Sequence, residues 1–186
     1  MEQILKNEHY TINITKDTTF RLGSADNHFY DYILNPLDLS RSNFHDTLSI
    51  FIDNGIEEQR FALVGDLFSS AENIAVLKKH DLIVIEGFSV IVIDCRTQKL
   101  IRQHNLKSAM CIAIYEFGEG YVVHGELEII KLSTTFEIEW VFMGGEIFVR
   151  FDGGCSFEIK GDKIHVTDWL DVQYEIDKFG NGTIIK

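Results

Sequence analysis

Histidine, cysteine and acidic side chains are the residues of this chain that could support a metal site or catalysis. The seven histidines show neither HExxH nor H-x3-H spacing, and none accompanies a cysteine motif, so the sequence does not predict a zinc site. The C-terminal aspartates do not have the D-x-D-x-D-G spacing of a calcium loop. They are Asp152, Asp162, Asp168, Asp171 and Asp177. We therefore expect no metal and no other cofactor.

Motifs of known enzyme active sites are also absent from the sequence. There is no GxSxG and no phosphate-binding glycine loop. Two pairs of carboxylates, Glu126/Glu128 and Glu137/Glu139, have the spacing i, i+2. Each pair therefore shares one face of a strand. Acid–base hydrolysis instead requires two carboxylates that face each other across a cleft. The sequence thus predicts a protein that is not an enzyme, and an unrecognised active site is the least favoured alternative.

The cysteines and the N-terminus indicate a cytoplasmic protein. Cys95, Cys111 and Cys155 are odd in number and widely spaced, as expected for free thiols in a reducing compartment. Residues 1–10 include an early acid and no long apolar run, which argues against a secretory signal. No segment approaches the roughly 20 apolar residues of a membrane helix.

The elements that position these side chains are predicted to be β-strands. Phe136, Ile138, Trp140 and Phe142 alternate with glutamates, and a period of two predicts a strand with one buried face. Glycines between the alternating segments supply the positive φ of tight turns. His124 and His165 occupy similar places in two such hairpins, where they are expected to be cross-strand partners and not metal ligands.

Three hairpins begin near residues 81, 120 and 162, and a strand precedes and follows each of them. A period of about 40–45 residues with four strands is typical of propeller blades. We predict an all-β, antiparallel fold: a partial, open β-propeller-like stack of about three four-stranded units plus N-terminal strands. A β-sandwich is the alternative. The prediction is one domain, 1–186, in which 61–186 holds the blade-like repeats.

Residues 1–60 are divergent from these repeats. Strands are predicted at 10–15, 18–22 and 47–52, with a hairpin turn at 53–55 and a short helical turn near 29–34. Further strands are expected at 61–65 and 147–151, before the first and third hairpins. No function is predicted for this N-terminal part.

Negative charge is concentrated in the C-terminal part of the chain. The net charge is −12, and residues 116–177 hold fourteen acidic and four basic residues. Carboxylates repel the phosphates of nucleic acids, so direct nucleic-acid binding is not expected. They attract a basic protein and accelerate its association. A solvated, solubilising surface is the simpler interpretation.

The segments 125–132, 139–149, 168–169 and 174–177 together resemble a group of small bacterial β-propeller-like proteins, and the likeness covers about residues 61–186. Some of these are immunity proteins of polymorphic or contact-dependent growth inhibition toxin systems. The resemblance implies a non-enzymatic inhibitor of a basic toxin domain, such as an RNase.

The residues expected to contact this partner are acids, with Trp169 or Tyr174 as an aromatic anchor. The acids are Glu126, Glu128, Glu137, Glu139, Asp168 and Asp171. A general protein-interaction module or subunit is the alternative function.

Overall fold

The computed structural model describes residues 2–27, 29–41, 45–66, 73–106, 110–150 and 156–186. All regular secondary structure in these ranges is β-strand. Within them there is accordingly no helix with the length and apolar character needed to cross a membrane. The strands form four separate sheets, numbered 1 to 4 along the chain.

Sheet 1 is built by the N-terminal part of the chain. Its strands are β1 (Glu2–Lys6), β2 (Thr11–Lys16), β3 (Tyr32–Leu34), β4 (Asp46–Asp53) and β5 (Glu58–Gly65). The spatial order is β1-β2-β4-β5-β3, and all pairs are antiparallel except β3 with β5. Without β3, this sheet has four antiparallel strands in chain order.

Sheets 2 to 4 are four-stranded, antiparallel and arranged in chain order. Sheet 2 contains β6 (Ala75–Lys78), β7 (Asp81–Glu86), β8 (Ser89–Asp94) and β9 (Lys99–Asn105). Sheet 3 contains β10 (Cys111–Phe117), β11 (Gly120–Gly125), β12 (Glu128–Leu132) and β13 (Ile138–Met143). Sheet 4 contains β14 (Phe157–Lys160), β15 (Lys163–Thr167), β16 (Gln173–Ile176) and β17 (Gly182–Ile184).

The predicted fold class is confirmed: the protein is an all-β, open, propeller-like stack. The three predicted hairpins are the central strand pairs of sheets 2 to 4. The glycine turns that precede two of them have the expected backbone, with φ of 57° at Gly118 and 64° at Gly161. The N-terminal strands supply one further sheet of the same four-strand order.

Apolar side chains between successive sheets hold the stack together. One buried cluster joins sheets 1, 2 and 3, and a second joins sheets 3 and 4 around Phe148 and Val122. Neither cluster of described residues joins sheet 4 back to sheet 1, so the stack is open. The first strands of all four sheets line a shared central groove of about 420 Å³ that includes Leu5, Val76, Tyr115 and Ile159.

The outer face of sheet 4 is polar, in contrast to its inner face. One ion pair lies along β14 between Lys160 and Glu158 (2.8 Å), a second joins β15 to β16 between Lys163 and Glu175 (2.5 Å), and His165 lies 3.7 Å from Glu175. These charged side chains suit contact with water. His165 thus has cross-strand acidic partners, as the strand interpretation predicts.

Several local predictions for irregular segments are wrong. Residues 32–34 form strand β3 and not a helical turn, because their backbone pairs with β5. Residues 18–22 and 147–150 form no strand. The strand before the third hairpin is β14, and 61–65 belongs to sheet 1. Cys155 and Asp152 lie outside the described residues.

Strand β13 also departs from the predicted alternation. Its register against β12 shifts, so that Ile138 pairs with Leu132 but Trp140 pairs with Lys131. The extra residue places Ile138 and Trp140 on opposite faces of the sheet. Ile138 is therefore exposed, whereas Trp140 and Phe142 pack towards sheet 4. Phe136 precedes the strand, with φ of 68°, and stacks on Tyr121.

Candidate functional site

The turns between the second and third strands of sheets 2, 3 and 4 lie along one end of the stack. We call this surface the turn rim. It comprises residues 66, 86–88, 110–111, 125–128, 144–150 and 168–172, which are these turns and the adjoining segments that connect the sheets.

Backbone hydrogen bonds connect each turn of the rim to the neighbouring connecting segments. In sheet 2, the Gly87 N–H donates to the Asp66 carbonyl (2.5 Å), and the Gly87 carbonyl accepts from the Cys111 N–H (2.8 Å). Both polar groups of this turn residue are thereby satisfied. The turn is fixed between the segments that enter and leave its sheet.

The same arrangement recurs in sheet 3 and begins again in sheet 4. The Glu126 N–H donates to the Met110 carbonyl (2.9 Å), and the Glu126 carbonyl accepts from the Phe148 N–H (2.7 Å). In sheet 4, the Trp169 N–H donates to the Ile147 carbonyl (2.8 Å). Gly87, Glu126 and Trp169 are therefore equivalent residues, and the rim backbone is preorganised.

Each equivalent turn residue is followed by an exposed apolar side chain. Phe88 is 46% exposed, Leu127 43% and Leu170 65%, and Trp169 beside Leu170 is 49% exposed. Each of sheets 2 to 4 therefore has at least one exposed apolar side chain on the rim. We take this repetition as the candidate contact surface, since contiguous exposed apolar side chains mark interaction sites.

The charge around this apolar row is negative. The rim has five acidic side chains that are at least partly exposed. They are Asp66, Glu126, Glu128, Glu146 and Asp171. Within the described part of the rim, Arg150 is the one basic residue, and its guanidinium pairs with Asp171. The rim therefore presents apolar side chains within a negatively charged border.

Carboxylates stabilise the turns from within: Glu86 and Asp168 are buried, and Asp17 is partly exposed. In sheets 1, 2 and 4 an acid stands immediately before or at the turn: Asp17, Glu86 and Asp168. Asp17 Oδ1 accepts from the backbone of Thr19 (2.7 Å), and its Oδ2 accepts from the Tyr30 hydroxyl (2.5 Å). Burial acts to raise the pKa of Asp17, but these hydrogen bonds outweigh it and hold the pKa below its ordinary value.

Asp168 and Tyr174, two of the residues predicted to contact a partner, lie inside the fold. Asp168 is 1% exposed. Its Oδ1 accepts from the N–H groups of Leu170 (2.9 Å) and Val172 (3.0 Å), and its Oδ2 accepts from the Tyr174 hydroxyl (2.9 Å). The Tyr174 hydroxyl accepts in turn from the Gly145 N–H (3.0 Å). These two side chains therefore position Leu170 and are not themselves presented to a partner.

The other predicted residues fall at two ends of the stack. Glu126, Glu128, Trp169 and Asp171 belong to the turn rim. Glu137 and Glu139 lie where β12 ends and β13 begins, so the length of β12 separates them from Glu128. Glu139 is partly neutralised there by Lys131, whose Nζ is 3.1 Å away. The structure does not bring the six acids together.

Sequence reasoning missed Phe88, Leu127, Leu170 and Glu146. A single exposed leucine or phenylalanine carries no signal by itself. The usable signal is positional, since each apolar residue stands at the same step of its hairpin, directly after Gly87, Glu126 or Trp169. Glu146 is exposed in the glycine-containing segment that leads to sheet 4.

Glu86 combines near-complete burial with an incomplete set of hydrogen bonds. Its Oε1 accepts from the Asp66 N–H (2.7 Å), whereas Oε2 has no hydrogen-bond partner among the described residues. Burial raises the pKa of this carboxyl above its ordinary value of 4.5, although the Asp66 bond acts in the other direction. The fold thus disfavours the ionised carboxylate relative to the unfolded chain.

We expect Glu86→Gln to stabilise the protein at neutral pH. A raised folded-state pKa means that the stability contributed by Glu86 is complete below the unfolded-state pKa and is lost as the pH rises through the folded-state pKa. The variant lacks this loss, so urea unfolding should show its advantage at about pH 7.5 and a smaller one near pH 4.5. Glu119→Gln, at an exposed turn, is the control. An equal advantage at both pH values would contradict the assignment.

The remaining polar groups of the interior, as far as the described residues show them, do not form a recognisable chemical site. Cys95 and Cys111 are buried free thiols, and burial raises the pKa of each to about 12, so neither is a ready nucleophile. Among the described residues no group of three or more His, Cys, Asp or Glu side chains could hold a metal ion. The central groove has mainly apolar walls, with Lys6 and Glu116 as charged lining residues.

Comparison with known proteins gives a distant likeness in structure alone. The sequence matches no protein-family profile and no curated protein sequence. Among solved structures, BamB from Moraxella catarrhalis is 14% identical, with 80% of this chain and 48% of that one covered and a TM-score of 0.48. Hsv2 from Kluyveromyces lactis, with its complete loop 6CD, is 15% identical, with 76% and 46% covered and a TM-score of 0.43. This chain spans about half the length of the structures it resembles.

Proposed function

We propose that this chain is a protein-binding module that docks a basic protein on its turn rim. In this role it acts in the cytoplasm as a non-enzymatic immunity protein, which binds and neutralises a basic toxin domain such as an RNase. The observation that carries the proposal is the row of Phe88, Leu127 and Leu170 within an acidic border.

The composition of the rim suits such a contact. Protein interfaces place apolar anchors at the centre and polar residues around them. The rim carboxylates would attract a basic surface and speed its association. A nuclease must attract phosphate, so the surface around its active site is commonly basic, and an acidic inhibitor is its electrostatic complement.

The backbone of the rim supports the proposal further. Because Gly87 and Glu126 are bonded to segments on both sides, their turns hold one geometry before a partner arrives. A preorganised surface loses little conformational entropy when it binds. Little binding free energy is therefore spent on ordering these turns when the partner binds.

The direct test uses the product of the neighbouring reading frame. That protein is expressed alone and together with this chain, and growth and complex formation are measured. Growth arrest that this chain relieves, with a tight complex, is the expected result. A basic partner without toxicity would leave a general interaction module, and an absence of both binding and toxicity would refute the immunity role.

Charge reversal on the rim should slow association with the captured partner. We expect Glu126→Lys with Glu146→Lys to lower the association rate about 10-fold at low salt and to weaken its salt dependence. Surface plasmon resonance at several salt concentrations measures both. Glu137→Lys, at the other end of β12, is the matched control. A larger effect from Glu137→Lys would place the contact at the opposite end of the stack.

A further inference from the structure

The connection between β2 and β4 is far longer than the turns that correspond to it. Sheets 2 and 3 join their second and third strands with two residues, whereas sheet 1 uses residues 17–45. Two residues suffice to connect antiparallel strands, and long connections in compact folds are commonly functional. The need to connect β2 with β4 therefore does not explain the length of this segment.

This connection leaves and re-enters sheet 1 at the end that adjoins the turn rim. The Asp17 N–H donates to the Thr47 carbonyl (2.8 Å), and Asp46 pairs with Gly65. The next residue, Asp66, accepts the Gly87 hydrogen bond that begins the rim. The connection is thus the sheet 1 counterpart of the turns that carry Phe88, Leu127 and Leu170.

Part of the connection is explained by packing. Phe20, Leu22, Tyr30 and Leu39 pack with Ala62 and Val64 on the outer face of sheet 1. These contacts cover β5, which is buried over its second half. A covering role accounts for the inward side chains and leaves the outward ones without explanation.

The outward side chains repeat the composition of the rim. Ile33 and Leu37 are each 40% exposed, and Asp38 beside Leu37 is also exposed. Strand β3 runs parallel to β5, with Leu34 beside Leu63. Since β5 runs towards the rim, Leu37 lies three residues further along, at the rim end of sheet 1.

Local hydrogen bonds fix Leu37 in this position. The Asn35 side chain donates to the Leu39 carbonyl (2.9 Å) and accepts from the Leu39 N–H (3.0 Å). The Asp38 N–H donates to the Asn35 carbonyl (3.1 Å). Leu37 is therefore held at the tip of a bonded turn, as the apolar residues of sheets 2 to 4 are held at theirs.

We infer that residues 29–41 extend the turn rim and contact the same basic partner through Leu37. This inference rests on the proposed function and adds the N-terminal part of the chain to the contact. Since sheets 2 and 3 join the corresponding strands with two residues each, residues 29–41 add the longest turn segment to the rim and therefore contribute to which basic proteins are accepted.

Photo-crosslinking separates this inference from the proposed function. Leu37, Phe88 and Ile56 are replaced one at a time with p-benzoylphenylalanine in the full chain, and adducts formed in the native host are identified by mass spectrometry. Ile56 is the control, since it is 91% exposed at the opposite end of sheet 1. We expect Leu37 and Phe88 to capture one and the same basic protein and Ile56 to capture none.

The other outcomes each contradict a defined statement. Capture at Phe88 but not at Leu37, or of a different protein at Leu37, would overturn the role of residues 29–41 and leave the proposed function standing. Capture at neither position would overturn both.

A substitution at the same position gives a second measurement. Leu37→Ser is expected to weaken binding of the protein captured at Phe88 about 10-fold, and Ile56→Ser to leave it unchanged. A matching unfolding midpoint for both variants establishes that the fold is intact. Equal affinity of Leu37→Ser and the parent chain would also refute the inference.

Discussion

Replacing Asp168 with alanine is expected to lower the free energy of unfolding by about 3 kcal/mol. The substitution removes the acceptor of the partly buried Leu170 and Val172 N–H groups and of the buried Tyr174 hydroxyl. A buried donor left without a partner costs its full desolvation energy. Urea denaturation followed by intrinsic fluorescence measures the loss.

Asp171→Asn is the matched control for this prediction. Asp171 belongs to the same turn, but its side chain is exposed and pairs with Arg150 at the surface. Its φ of 64° is one that asparagine adopts readily. Because exposed ion pairs contribute little, the change should cost less than about 1 kcal/mol. Equal losses in the two variants would show that Asp168 is not the centre of the turn.

Acid is expected to destabilise the contact between sheets 3 and 4 through His124. The His124 ring stacks on Phe157 with centroids 5.0 Å apart, and its Nε2–H donates to the Phe148 carbonyl (3.0 Å). Burial lowers the pKa of His124 from 6.5 to about 4, and the hydrogen bond only partly opposes this. The neutral ring is therefore the form that the fold holds.

The sign of the pH effect follows from that difference. A folded-state pKa below the unfolded-state value means that the stability from neutral His124 is complete above pH 6.5 and is lost as the pH falls towards about 4. The difference between the unfolded-state and folded-state pKa corresponds to a loss of about 3 kcal/mol in the free energy of unfolding. We expect His124→Gln to lack this part of the acid-induced loss, as measured by urea unfolding at a series of pH values.

His9→Gln is the control for the histidine prediction, because His9 is an exposed residue in the turn between β1 and β2. It should keep the acid-induced loss that His124→Gln lacks. If His124→Gln also followed the parent chain, the buried ring would not be the group that senses acid.

The architecture of sheets 2 to 4 could be predicted because local signals agree there with the tertiary fold. Apolar runs mark the central strands of sheets 2 and 3, alternation with period two marks those of sheet 4, and a glycine turn lies within or before each hairpin. Sheet 1 was not recognisable as an equivalent unit, since residues 17–45 separate β2 from β4 and disrupt the repeat. The register shift in β13 could not be predicted either. A bulge moves the residues on one side of it to the opposite face of the sheet, but the alternation of apolar and polar residues in the sequence stays the same.

The candidate site could be predicted only in part, because composition does not show which acids are buried. Composition identifies Asp168 and Asp171 equally as acids of one turn, but burial separates them. Asp168 is bonded to the Tyr174 hydroxyl, which in turn accepts from Gly145 of a distant segment. Glu126 and Trp169 were selected for charge and aromatic character. Their equivalence with Gly87 becomes visible only in the backbone bonds between sheets.

Those backbone bonds also make the geometry of the turn rim independent of its side chains. At Gly87 and Glu126 the main chain alone supplies the bonds to the adjoining segments, so the geometry of the turn does not depend on which side chain follows. Phe88 and Leu127 can therefore be exchanged for other residues at little cost to folding. A lineage of such proteins could acquire new binding preferences by single substitutions while the scaffold stays the same.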